Sequence, residues 1–427
     1  MRFQITSETC QYYKVDYWGQ LPATYEPQPE NAARYIEARA RNVRESFRRL
    51  PTAPISQLAA AFPGVDPDAF GRGLSPEHVS SVSVSVGGTH YVRECVTRTG
   101  NYAGLCDERI LPSYSVSKSV FGGLALMRLA ELFGEGVYHE LVREWLPAEA
   151  GAAAGDWDAV TLRHCLDMAT GNYQSAGYQV DEDENTGPFF AAEAFAGKAG
   201  ASFAWPAREP PGRRHIYHTT DTFVLVSAMQ RLLQAKLRAQ NVSLLVAGRR
   251  IPEDIWQLLA EDVFEPLQLS EAALSSLRTY DAEAQPYGGY GLWFKRDDFA
   301  KVANWLRNGE GRVPLPTGGG TENTVQVVDP AALRGALQME GSNRGLDPNH
   351  PSLSLRYNYG FWAQVFDGPS FGCGDGESYY QPYTSGYGGI RMVLLGNGAT
   401  YNYVSDDGEA PPLAGPVQES RAFGPLC

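Results

Sequence analysis

Valine and serine alternate between residues 81 and 86, with Val82, Val84 and Val86 set against Ser81, Ser83 and Ser85. That is the period of a strand, Gly87-Gly88 supplies a hairpin turn, and residues 90–96 return as the partner. Ahead of this hairpin the period is helical. Ala33, Ile36, Ala40, Val43 and Phe47 fall on one stripe, Arg39, Arg41, Arg44 and Glu45 on the other side, and Pro51 stops the helix. Residues 1–29 are aromatic and Pro-rich without a period and read as an extended arm over the body. From Ser115 to about Leu267 helical patterns dominate. Residues 160–171 form a short helix ended by Gly171, residues 223–235 a helix capped by the hydroxyls and acid of Thr219, Thr220 and Asp221, and residues 255–267 an amphipathic helix. Beyond Tyr280 glycine turns and short strands return: a helix at 297–306, strands at 357–366 and 390–395, and Gly396-Asn397-Gly398 turning into 401–404. Gly318-Gly319-Gly320 lacks the Gly-Lys-Ser/Thr ending of a phosphate loop and reads as a surface turn. Mixed elements, a helical block and mixed elements again predict one α/β body (α+β) interrupted by a helical insertion. The predicted division is an N-terminal arm and helix packed on the body over residues 1–70, then the main domain over 71–427, with the insertion at about 125–280.

Composition narrows the partners more than the fold. With 427 residues, 43% hydrophobic, the chain can bury a large core, and a net charge of −13 argues against a duplex or phosphate-backbone partner, though not against a local basic patch. No uninterrupted apolar run reaches membrane-spanning length. The first residues, Met1 to Thr6, lack the apolar stretch of a signal peptide. A periplasmic or secreted location is expected if such a signal was removed, and a cytoplasmic one otherwise. Among the six cysteines, Cys95 and Cys106 flank one polar, Gly-containing loop after a strand, which suits a local disulfide; Cys373 pairs with Cys10 or Cys427, or all remain free thiols. No Cys-x-x-Cys or His-x-x-x-His spacing suggests zinc, and no cofactor is expected. Asp181-Glu182-Asp183-Glu184 lacks the interleaved spacing and closing Glu of a calcium loop and reads as a solvated turn. His164 and His218 read as local structure, and His215, between Arg214 and Ile216, as exposed.

The stretch with candidate chemistry is Ser115-Val116-Ser117-Lys118. On a helix the lysine lies one turn beyond the serine and on the same face, where its positive charge favours alkoxide or its neutral amine takes the proton. The residues that follow, Ser119-Val120-Phe121-Gly122-Gly123-Leu124, are almost wholly apolar, so the helix is expected to be buried with its N-terminus at a cleft.

Two further segments follow in order, Tyr217-His218-Thr219 and Thr384-Ser385-Gly386-Tyr387-Gly388-Gly389. The ordered set resembles the serine β-lactamase and penicillin-binding-protein superfamily, most closely its class C-like esterases and 6-aminohexanoate-dimer hydrolases. Supporting matches are Met168-Ala169-Thr170-Gly171, Phe264-Glu265-Pro266-Leu267 and Gly291-Leu292-Trp293 with Asp297, over about residues 80–405. The resemblance implies a β-lactamase-like fold, an antiparallel sheet flanked by helices with an inserted all-helical domain. It implies a serine hydrolase that forms an acyl-enzyme on small esters or linear amides. Ser115 is then the nucleophile, Lys118 its activator and Tyr217 the proton shuttle. The backbone N–H groups of Ser115 and Tyr387 form the oxyanion hole, and Thr219, Ser385 and Gly386 bind substrate. Two departures stand out: Thr219 replaces the usual Asn, and Thr384 replaces the Lys that would hold a substrate carboxylate. Other readings of the same set are a D-alanyl-D-alanine peptidase, a β-lactamase, or a catalytically silent relative that binds peptidoglycan or a partner.

Overall fold

The computed structural model describes residues 1–8, 14–24, 32–76, 78–95, 106–239, 245–246, 249–315, 323–406, 408 and 410–427. Cys10, the loop enclosed by Cys95 and Cys106, and Gly318 to Gly320 lie outside them. Its centre is an eight-stranded sheet. In spatial order the strands are Leu355–Asn358, Phe361–Asp367, Ser378–Gly386, Ile390–Leu394, Thr400–Ser405, Val79–Val86, Thr89–Val92 and Thr52–Pro54. Every neighbouring pair is antiparallel except the last, where Thr52–Pro54 runs parallel to Thr89–Val92, so the expected antiparallel sheet carries one parallel edge.

Alternation along the strands divides the core in two. Ile390, Met392, Leu394 and Val404 face the helical block, whose buried apolar residues join them in one cluster. Val393, Tyr401, Tyr403, Val82 and Val84 face the other way, against Ile55, Leu58, Phe70, Leu413 and Val417. Ser81, Ser83 and Ser85 are buried as well, since helix Arg296–Asn308 packs on that strand. The helical block runs from Leu124–Phe133 through the 21-residue helix Thr219–Ala239 to Ile255–Leu259. Among the described residues no helix is long and apolar enough to cross a membrane.

Several expectations need correction. The arm is no single extended strand, because Arg2–Glu8 pairs antiparallel with Lys14–Gln20. The boundary at residue 70 falls too late: Thr52–Pro54 is a strand of the central sheet, and Ile55, Leu58 and Phe70 are core residues. Helix Ala32–Phe47 forms as expected, but its charged side meets the body. Glu45 bonds Lys295 Nζ at 2.6 Å and Arg41 bonds Glu271 at 2.9 Å, while Ile36 and Phe47 are exposed. The single strand expected at 357–366 is a hairpin broken at Tyr359-Gly360. Both residues have positive φ, at 51° and 82°, as a tight two-residue turn requires.

Among the described residues two disulfides are present, Cys95–Cys106 and Cys373–Cys427, and Cys165 is a buried free thiol.

Candidate active site

Strand Leu111–Pro112 pairs with Trp293–Phe294, and Ser113 N–H donates to Leu292 O at 2.9 Å, which fixes the chain as it enters the Ser115 turn. Tyr114 then takes φ +43°, a left-handed conformation unfavourable for a bulky residue and held here by the packing around it. The following residues wind into a π-helical segment, Lys118–Gly123, before the α-helix Leu124–Phe133. Glycine lets this wide turn pack closely: a Cβ at Gly123 would lie 2.9 Å from Tyr359 O. The Tyr359-Gly360 turn thus buttresses the helix, and Ser119 Oγ donates to Gly360 O at 2.6 Å.

Four serines crowd this segment and the structure separates them. Ser113 and Ser117 are fully buried with their hydroxyls bonded to each other at 2.8 Å, and Ser119 is buried on Gly360. Ser115 is partly open to solvent, and its Oγ shares a hydrogen bond with Lys118 Nζ at 2.8 Å. Lys118 itself is 2% exposed. Its amine also bonds Thr219 Oγ1 at 2.7 Å and Gly289 O at 3.4 Å, and it lies 4.7 Å from the centre of the Tyr217 ring. Burial lowers the Lys118 ammonium to about 8, against the raising influence of Glu182. About a tenth of the amine is therefore neutral at pH 7, far more than for a solvated lysine.

The third segment reaches the same place. Strand Ser378–Gly386 outruns its partner Phe361–Asp367, whose register ends at Trp362 opposite Tyr383. The edge of the strand beyond Tyr383 is therefore unpaired on that side. A Cβ at Gly386 would sit 2.6 Å from Ser113 O, so the strand end lies against the Ser115 turn. Tyr387 follows, with its ring exposed and edge-on to Tyr114 at 5.6 Å. Ser385 is partly exposed, whereas Thr384 is fully buried on the Met392 side and its hydroxyl has no hydrogen-bond partner among the described residues. Tyr217 stacks on Trp362 at 5.8 Å, Trp362 stacks on Tyr383 at 6.5 Å, and the Arg391 guanidinium caps Tyr383 at 5.1 Å while donating to Pro411 O at 3.3 Å.

The structure brings Ser115, Lys118, Tyr217 and Thr219 together and sets Gly386 beside them. It also adds two groups that the sequence did not single out. One is the Gly289 carbonyl, carried close because a Cβ there would meet Thr219 Cγ2 at 2.8 Å. The other is Glu182, and here the solvated-turn reading is wrong. Asp181 is fully buried and accepts from Gln174 N–H, Ser175 N–H and His218 Nε2 at 2.8, 2.9 and 3.0 Å. That anchor turns Glu182 inward. Its Oε2 accepts the Thr219 N–H at 2.8 Å, capping the long helix, which starts at Thr219 and not at 223, and its Oε1 accepts from the Thr219 hydroxyl. His215, expected to be exposed, is 3% exposed, packs on Tyr357 and bonds Asp167 O at 2.9 Å; burial lowers it to about 4. Among the described residues no three His, Cys, Asp or Glu side chains converge as metal ligands would.

The family described as Beta-lactamase matches residues 96–239, a span that includes Ser115, Lys118 and Tyr217. Solved structures match over most of the chain. EstCE1, a hydrolase with promiscuous acyltransferase activity, is 15% identical over 91% of this chain and 99% of its own, with TM-score 0.53. The fold is that of the β-lactamases and penicillin-binding proteins. The octameric penicillin-binding protein homologue from Pyrococcus abyssi is 17% identical over 81% and 73%, with TM-score 0.52, and a D-stereospecific amidohydrolase from Streptomyces sp. is 12% identical over 86% and 97%, with TM-score 0.50. No curated protein matches the sequence. The superfamily resemblance drawn from the three ordered segments is borne out at the level of this β-lactamase-like fold.

Proposed function

We propose that the protein is a serine hydrolase that forms an acyl-enzyme on Ser115 and cleaves small esters or linear amides. The observation that carries this reading is the 2.8 Å bond between Ser115 Oγ and Lys118 Nζ, made by the one partly open serine of the segment to a buried amine. Neutral Lys118 takes the Ser115 proton as Oγ bonds to the substrate carbonyl carbon, and the carbonyl electron pair moves onto oxygen. The N–H groups of Ser115 and Tyr387 stabilise that oxyanion; loss of one such donor typically costs ~100–1000-fold. As the carbonyl re-forms, the leaving group departs with a proton passed from Lys118 through Tyr217, whose ring lies against the amine. Water then attacks the ester, gives its proton back along the same path, and Ser115 is released protonated.

Thr219 moves from substrate binding to the lysine, since its hydroxyl proton goes to Glu182 and its oxygen accepts from Lys118. Ser385 and Gly386 remain as the substrate edge. Substrate class follows from charge. β-Lactams and peptidoglycan stems carry a carboxylate near the scissile carbonyl, and the segment offers hydroxyls in place of a lysine to meet it. Arg391, the one cation nearby in sequence, is engaged with Tyr383 and Pro411. Neutral esters and linear amides of the aminohexanoate type therefore fit best. The test is kcat/KM for nitrophenyl butyrate beside a chromogenic cephalosporin: the ester is expected to win clearly, and a preference for the cephalosporin would favour the β-lactamase or D-alanyl-D-alanine peptidase reading. The two disulfides fit work in the periplasm or outside the cell.

A further inference from the structure

Among the described residues three polar atoms hydrogen-bond Lys118 Nζ: Thr219 Oγ1 at 2.7 Å, Ser115 Oγ at 2.8 Å and Gly289 O at 3.4 Å. A neutral amine has two N–H bonds and one lone pair, so one of the three must face the lone pair and donate to it. Gly289 O can only accept. A threonine hydroxyl can donate or accept, and left to itself it would compete with Ser115 for the lone pair. Glu182 removes that freedom. Its Oε1 accepts the Thr219 hydroxyl proton while its Oε2 accepts the Thr219 N–H at 2.8 Å, and an ionised carboxylate has no proton to return. Thr219 Oγ1 is then an acceptor towards Lys118, both amine hydrogens are spent on Thr219 and Gly289, and the Ser115 hydroxyl is the remaining donor.

We propose that Glu182 is a positioning residue that fixes the direction of this hydrogen-bond chain and so aims the Lys118 lone pair at the Ser115 proton. The proposal rests on the reading of Ser115 as nucleophile and Lys118 as its base. It accounts for the departure at Thr219: the amide oxygen of the usual Asn can only accept, and Glu182 makes a hydroxyl behave in the same way. It also gives the buried Asp181 a purpose, as the anchor that turns the acidic segment inward. The groups that face Lys118 are Glu182 from the helix Val180–Asn185 and the Tyr217 ring; Asp183 and Asp221 lie close enough to interact with Glu182, and His218 sits behind them between Asp181 and Asp221.

The test is the pH profile of kcat/KM for a nitrophenyl ester in Glu182→Gln. The amide can still accept the Thr219 N–H, so the helix cap survives, but its NH2 donates to Thr219 Oγ1 and frees that hydroxyl to occupy the lone pair. The expected result is a fall of roughly tenfold or more in the high-pH plateau, together with an acid limb moved to lower pH, because the carboxylate that raises the Lys118 proton affinity is gone. A purely structural cap would leave the limb where it was. A folded Glu182→Gln protein with both plateau and limb unchanged overturns the proposal. Should Glu182→Gln fail to fold, Thr219→Val is expected to fall at least ~10-fold below Thr219→Ser, and equal activities of these two would overturn it equally. Wild-type labelling by a fluorophosphonate keeps the two failures apart: no label on Ser115 sinks the nucleophile assignment, while a labelled Ser115 with an unmoved Glu182→Gln profile sinks this inference alone.

Discussion

His218 lies fully buried behind the Ser115–Lys118 cluster, with Nε2 3.0 Å from Asp181 and Nδ1 3.6 Å from Asp221. Its ring stacks on Trp205 at 4.3 Å. Burial opposes the imidazolium, yet the two carboxylates overcome it and raise His218 from 6.5 to about 9. A histidine raised in the fold stabilises it fully below its unfolded value, and the stabilisation is lost as pH climbs from 6.5 through about 9. At about 1.4 kcal/mol per pH unit the window is worth about 3 kcal/mol. His218→Gln removes that contribution and, below the window, leaves Asp181 without its cation, a loss of about 3–5 kcal/mol for a broken buried pair. The assay is denaturant unfolding of wild type and His218→Gln at about pH 6 and about pH 9.5. Lys118 titrates in the same range with the opposite sign, since its value is lowered in the fold, but it does so in both proteins and cancels in the difference. The stability gap should be larger at the acid end by about 3 kcal/mol. A gap that does not change with pH would show that His218 is neutral between its acids and that the argument is wrong.

Gly386→Val places side-chain atoms where a Cβ alone would already be 2.6 Å from Ser113 O, so the strand end must retreat from Ser115; kcat/KM for a nitrophenyl ester should fall ~100-fold or more with the circular dichroism unchanged. Wild-type activity in that variant would remove the strand end from the site. Cys373→Ser opens the bridge to Cys427 across a separation of 54 residues, and the chain-entropy relation puts the expected loss at about 4 kcal/mol in denaturant unfolding. Peptide mapping without reductant should recover both linked pairs, and free thiols at Cys95 and Cys106 would also overturn the proposed compartment.

What the sequence revealed is what local spacing encodes. Ser115 and Lys118 are three residues apart, so their bond is legible once a helix is assigned, and the order of the three motifs pointed to the fold. The Val82 to Val86 alternation located a central strand for the same reason. Long-range partners were hidden. The acidic run at 181–184 looks like a solvated turn because nothing nearby answers its charge; the partner of Glu182 is Thr219, 37 residues on. His215 follows two arginines in sequence and is covered by Tyr357 and Trp362, which arrive from the sheet. Thr52–Pro54 is too short to read as a strand, and only its pairing with Thr89–Val92 makes it one. The stripe on helix Ala32–Phe47 misled in the opposite sense: its period was right, but Glu45 and Arg41 outbid it as the contact face.

The central claim is that Ser115 is the acylated nucleophile, and covalent labelling tests it most directly. Wild-type protein incubated with a fluorophosphonate and digested should carry the adduct on the peptide containing Ser115, and Ser115→Ala should lose both the adduct and ester turnover. An adduct on another serine, with Ser115→Ala as active as wild type, would contradict the account.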